Sequence, residues 1–93
     1  MQKETLVAIL EAAPSAKREG DAFVFDPEHR ATLYLARPGQ TTTLTDLVRV
    51  QLLPGFVRAD AKDRTVHFVV IDELAGLSIR PPRESGGTSR TGF

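Results

Sequence analysis

The chain has 93 residues, 41% hydrophobic, 26% charged and 6% aromatic, with 12 basic and 12 acidic side chains and no cysteine. That length holds one small domain with a modest core, and the missing cysteines exclude disulfides, thiolate nucleophiles and cysteine-built zinc sites. A formal charge of zero gives no general attraction to nucleic acid or anionic lipid.

The amino-terminal apolar run Thr5-Leu6-Val7-Ala8-Ile9-Leu10 stops at Glu11. A secretory signal needs a longer apolar stretch and a small-residue cleavage site, and a membrane span needs about 20 apolar residues. A cytoplasmic chain is therefore expected. Within Gln2–Ala13, Leu6, Ile9, Leu10 and Ala13 recur at helical spacing and predict an amphipathic helix. Pro14 lacks an N–H and biases Ala13 toward extended angles, so the helix should end there. So short a helix is marginal alone in water. Its stripe must dock on the chain's own sheet or on a second copy.

Ser15–Asp21 reads as a polar connector. Beyond it the period changes from helical to alternating, with Phe23 and Phe25 on one face. Asp26-Pro27-Glu28-His29 has type I turn chemistry, and Leu33 and Leu35 continue the alternation over Ala31–Ala36, so the two runs read as a hairpin. Arg37-Pro38-Gly39-Gln40 is a second turn. Thr42–Leu53 reads as a strand with Val48, Val50 and Leu52 on one face and Arg49 and Gln51 on the other. Pro54-Gly55 is a third turn. Phe56–Ala59 is a short strand and Asp60-Ala61-Lys62-Asp63 a polar turn. Thr65–Ile71 is the richest in β-formers, with Val66, Phe68 and Val70 opposite His67, Val69 and Ile71. Asp72–Gly76 reads as a bend or single helical turn, and Leu77–Arg80 as a last strand stopped by Pro81-Pro82. The remainder has almost no apolar content, so residues 82–93 read as a disordered tail after a single domain over 1–81. The expected fold class is α+β: an N-terminal helix packed on a small antiparallel β-sheet, or a partly closed barrel, of five to six strands.

Leu44–Pro54 can be laid on Ile71–Pro81 at an offset of 27, with an acid before a shared Leu and a Pro at the end of each. Reuse of one strand grammar explains this better than duplication does, and a repeat architecture would need three clear copies. The bend of an apolar residue, an acid and a Leu before a strand resembles the middle of bacterial pleckstrin-homology-like domains. The resemblance covers a minor part of the chain and departs at the C-terminus. There such domains carry a long helix and this chain a Gly/Ser-rich segment, so no family assignment follows.

Candidate chemistry is sparse. His29 sits in the first turn beside Asp26 and Glu28, and no His-Glu-x-x-His spacing exists to make a metal site. His67 has no cysteine or Gly-x-Ser-x-Gly elbow to serve as base for. Asp60 with Asp63, and Asp72 with Glu73, pair acids at turns, where carboxylates are usually solvated and stabilise the turn itself. Gly39 and Gly55 follow Pro, which is turn grammar and not a phosphate cradle. No cofactor, metal or catalytic set is expected, and an enzyme is not expected. Arg49, Arg58 and Arg64 are expected to share a face with Tyr34 and His67, which would suit phosphate and base contacts. Yet residues 1–79 carry nine basic against eleven acidic side chains, which argues against a nucleic-acid binder.

What remains is a small non-catalytic protein-interaction or scaffolding module, self-associating in one version. A regulatory inhibitor or adaptor on a larger protein is the first alternative, and a weak nucleic-acid or lipid module using strand arginines the second. The expected partner-binding residues are Leu6, Ile9 and Leu10 on the helix and Tyr34, Arg49, His67, Val69 and Ile71 on the strands. A homodimer is expected if the helix stripes pair between chains.

Overall fold

A computed structural model describes residues 1–13, 15–37 and 39–81. Helix α1 spans Lys3–Ala12. Seven strands follow: β1 Ala16–Glu19, β2 Ala22–Phe25, β3 Arg30–Arg37, β4 Gln40–Leu53, β5 Phe56–Ala61, β6 Val66–Val70 and β7 Leu74–Arg80. A 3-10 turn at Ile71–Glu73 leads into β7, as the acidic bend suggests. The result is the expected α+β arrangement, a helix on a curled antiparallel sheet that closes part of the way to a barrel. The expected tail, 82–93, lies outside the described residues.

Strand β4 is the spine of the sheet. Along one edge it pairs β5, from Leu47 with Ala61 to Leu53 with Phe56. Along its other edge β2 and β3 lie end to end: Ala22–Val24 face Gln51–Arg49, and Ala31–Arg37 face Leu47–Gln40. Outside them, β1 pairs β2, β7 pairs β3 and β6 pairs β5. The hairpin expected across Asp26-Pro27 is therefore not formed. The turn itself is present, closed by His29 N–H to the Asp26 carbonyl and by Glu28 N–H to Asp26 Oδ1, both 2.9 Å. It steps the chain out of the sheet and back, instead of reversing it.

A second difference lies at Ala16–Glu19, read as connector but paired as β1 in a hairpin with β2. Gly20, at φ +64°, takes the left-handed conformation in its turn. Lys17, Arg18 and Glu19 are exposed, so no apolar alternation could announce this strand. The same charges blunt it as a sheet edge.

The curl comes from β4. Against β3, Leu44 faces Leu33 and Leu47 faces Ala31, so β4 carries one residue more than its partner. Asp46, at φ +55°, absorbs that residue. Against β5, Leu47 faces Ala61 and Arg49 faces Asp60, another extra residue on β4. Leu47 and Val50 both enter the core, three positions apart, and Val48 is only half-buried, not inward-facing with Val50 as its alternation suggests. Bulges bend and twist a strand, and this pair folds the sheet around the helix.

The concave face holds Phe23, Phe25, Leu33, Leu35, Val57 and Leu74, with Leu6 and Leu10 of α1 laid across them. Full burial of a leucine is worth about 1.5–3 kcal/mol, enough to hold a helix that would not persist alone. The helix stops as Pro14 requires, with Ala13 extended at φ −69°, ψ 127°. The Met1 ammonium reaches the Ile71 carbonyl at 3.4 Å and ties the helix start to the far side of the sheet.

Candidate protein-interaction surface

The β5–β6 hairpin has a turn built by local hydrogen bonds. Ala61 N–H donates to the Thr65 carbonyl at 2.9 Å, Arg64 N–H to the Ala61 carbonyl at 3.0 Å, and Thr65 N–H to Asp63 Oδ1 at 2.9 Å. Hydrogen bonds from Thr65, side chain and backbone, hold the Asp63 carboxyl below the usual carboxylate range. Arg64 takes a left-handed φ of +72°. This turn fixes the register without a bulge, from Phe56 with Val70 to Asp60 with Val66.

Register then decides which face of β6 is buried, because cross-strand partners share a face. On β5, Val57, Ala59 and Ala61 are buried. Val69 pairs with Val57 and enters the core; His67 pairs with Ala59 and is half-buried on the same side. Val66, Phe68 and Val70 point outward beside Asp60, Arg58 and Phe56. This corrects the expected partner face: Val69 and Ile71 belong to the core, and the face opposite is the exposed one. Phe68 is 66% exposed, Val70 51%, Val66 38% and Phe56 36%. The Phe56 and Phe68 rings stand 6.3 Å apart at 58°, a tilted pair. Their rim is charged, with Asp60 taking Arg58 Nε at 2.9 Å and lying 3.7 Å from an Arg49 nitrogen.

Among the described residues the edge beside this patch is open, since β6 pairs only β5 there. The bond from Ala61 N–H to the Thr65 carbonyl, and that from Ile71 N–H to the Gly55 carbonyl at 3.2 Å, mark residues 65 and 71 as turned toward β5. Antiparallel bonding alternates along a strand, so 67 and 69 also bond inward and Val66, Phe68 and Val70 direct N–H and C=O toward the free edge. The three residues with exposed apolar side chains are thus the three with free backbone groups.

The other expected site residues are scattered. Leu6 and Leu10 are buried in the chain's own core, which removes them from the expected helix-to-helix dimer contact. Ile9 is half-buried beside a shallow apolar groove of about 290 Å³ shared with Ala12, Ala13, Leu77 and Ile79. Arg49 and Arg58 rim the exposed patch, Arg64 lies in the hairpin turn and His67 faces inward, so the expected joint face with Tyr34 is not assembled. Tyr34 lies on the β3–β7 side, its hydroxyl 2.9 Å from Ser78 Oγ. It lines a polar hollow of about 370 Å³ together with Arg30, Asp46 and Arg80. Arg30 and Arg80 are direct cross-strand partners, an unfavourable like-charge pair. Asp46, 3.7 Å from Arg30 Nε, and Glu28, in the adjoining hollow with both arginines, offset it. Among the described residues no three histidines or acids gather to hold a metal ion. Among the described residues no helix is long and apolar enough to cross a membrane.

The sequence held a usable sign of the exposed patch. Arg58 and Asp60 alternate with Val57 and Ala59, so the outer face of β5 is legible, and counting across a turn at 62–64 places Phe68 beside Arg58. Comparison with protein-family models, with characterised proteins and with solved structures finds no match.

Proposed function

We propose that this chain is a small non-catalytic protein-interaction module whose working surface is β6 and the outer face of the β5–β6 hairpin. The observation behind this reading is the coincidence of an unpaired strand edge with an exposed apolar face on the same residues. An edge of this kind is a template for strand addition. The partner is an extended segment with apolar side chains at alternate positions: main-chain bonds to Val66, Phe68 and Val70 give affinity, and packing on Phe56 and Phe68 gives selectivity. The rim arginines lean on Asp60, which favours a protein partner over phosphate-rich nucleic acid.

The test uses a soluble synthetic peptide with alternating Val-Lys-Phe-Lys-Val at its centre, and a control with Pro at the central position. Titration followed by amide NMR should shift Val66, Phe68 and Val70 and slow their hydrogen exchange with the first peptide alone. The reading fails if these three amides exchange freely with every added peptide and at every protein concentration.

A further inference from the structure

We infer that the segment taken up by β6 is β6 of a second copy, paired antiparallel about a two-fold axis through Phe68; this rests on the strand-addition reading above. Three observations select that occupant. The first is the pattern Val66-x-Phe68-x-Val70, which reads the same in both directions. Antiparallel self-pairing centred on Phe68 sets Val66 against Val70 of the other copy and Phe68 against Phe68. Those are the residues whose backbone groups face the free edge, so the register forms three reciprocal pairs and six N–H to C=O bonds.

The second observation is charge. The same register sets the hairpin turn that holds Arg64 beside the 3-10 turn that holds Asp72 of the other copy, once at each end of the paired strands by symmetry. Neither side chain has an ion-pair partner among the described residues. The third is the contrast between edges. Strand β1 exposes Lys17, Arg18 and Glu19, and β7 runs into Arg80 and Pro81. Strand β6 has no proline, no lysine and no bulge. Edges that must stay single carry such guards, and β6 carries none. A zero formal charge on the chain adds no repulsion between copies.

The native absence of cysteine makes the register directly measurable. Full-length Phe68→Cys, Val66→Cys and Val70→Cys proteins are each oxidised, alone and in pairs. Across a hydrogen-bonded antiparallel pair the Cα atoms stand about 5.5 Å apart, within disulfide reach. Phe68→Cys should form a covalent dimer alone. Val66→Cys and Val70→Cys should not do so alone but should cross-link in a mixture. Sedimentation of the wild-type chain should give twice the monomer mass at roughly 100 µM, the range of a small interface. Phe68→Arg should raise the dissociation constant by about 30-fold or more. Val70→Lys is the second disruptive variant, and circular dichroism with thermal melting confirms that each stays folded, since both positions are exposed.

A wild-type chain that stays monomeric while the alternating peptide still protects Val66, Phe68 and Val70 overturns self-pairing and leaves strand addition standing. Self-linking by Val66→Cys or Val70→Cys, with none by Phe68→Cys, overturns the register. A monomer that takes up no peptide overturns both readings.

Discussion

Two aspartates show how single residues set this fold. Asp46 sits at φ +55° in the bulge of β4, and its carboxylate lies 3.7 Å from Arg30 Nε. Both side chains are largely exposed, so the ion pair contributes little. The backbone conformation is the more demanding feature. Asp46→Val should destabilise by about 1–2 kcal/mol, since a β-branched residue resists positive φ. Asp46→Gly should stay within about 0.5 kcal/mol of wild type, the relief of strain offset by a freer unfolded chain. Urea denaturation measures both, and equal losses in the two variants would assign the position to its charge instead. Asp63 works through its carboxylate, held below the usual range first by the Thr65 side chain and then by the Thr65 backbone N–H. A carboxyl with a depressed folded-state value stabilises the fold above its unfolded value, and that contribution disappears as pH falls through the folded one. Thr65→Val should move the Asp63 titration partway back toward the ordinary range by carbon-detected NMR, while the backbone bond persists. An unmoved titration would assign the effect to the backbone bond alone.

At the scale of elements, legibility followed the clarity of the apolar pattern. The helix was readable because Leu6 and Leu10 recur on one stripe and Pro14 ends it. The turns at Gly39 and Gly55 were readable because each glycine follows a proline in the sequence, and both have positive φ. Strand β1 was hidden because Lys17, Arg18 and Glu19, all but one of its residues, are charged and exposed. The placement of β2 and β3 was hidden because a sound turn signal does not say whether the chain reverses. The face of β6 was ambiguous because Val66, Phe68, Val69, Val70 and Ile71 are all apolar, so alternation gives no phase and the hairpin register settles it. The helix carries the prediction for this scale. Leu10→Ala should lose about 2–5 kcal/mol, a large share of the roughly 5–14 kcal/mol that holds a chain of this length. Leu10→Glu should unfold the protein instead of merely separating copies. A folded, wetted helix in Leu10→Glu, seen by circular dichroism with the β-sheet signal retained, would show that the sheet core stands without it.

The whole molecule is a curled sheet with its two faces put to different uses. The concave face is filled by the helix, and Phe23, Phe25, Leu33 and Val57 give it nothing to offer a partner. Among the described residues, four of the five exposed large hydrophobic ones, Phe56, Val66, Phe68 and Val70, gather on the convex side beside one open edge, and Tyr34 stands apart on the other leaf. With 12 charges of each sign and a sequence pI near 6.7, the chain has little net field to steer or repel a second copy near neutral pH. Association through β6 should therefore rest on apolar contact and backbone bonds, with Arg64 and Asp72 as exposed, screened end pairs. The dissociation constant of the self-pair should change by no more than about 3-fold between low and high salt, where the two end pairs are the only charges lost. Sedimentation equilibrium across a salt series measures this. A fall in affinity of a hundredfold or so would mean that counter-ions are displaced on assembly and would move the interface to the arginine-bearing hollow at Arg30 and Arg80.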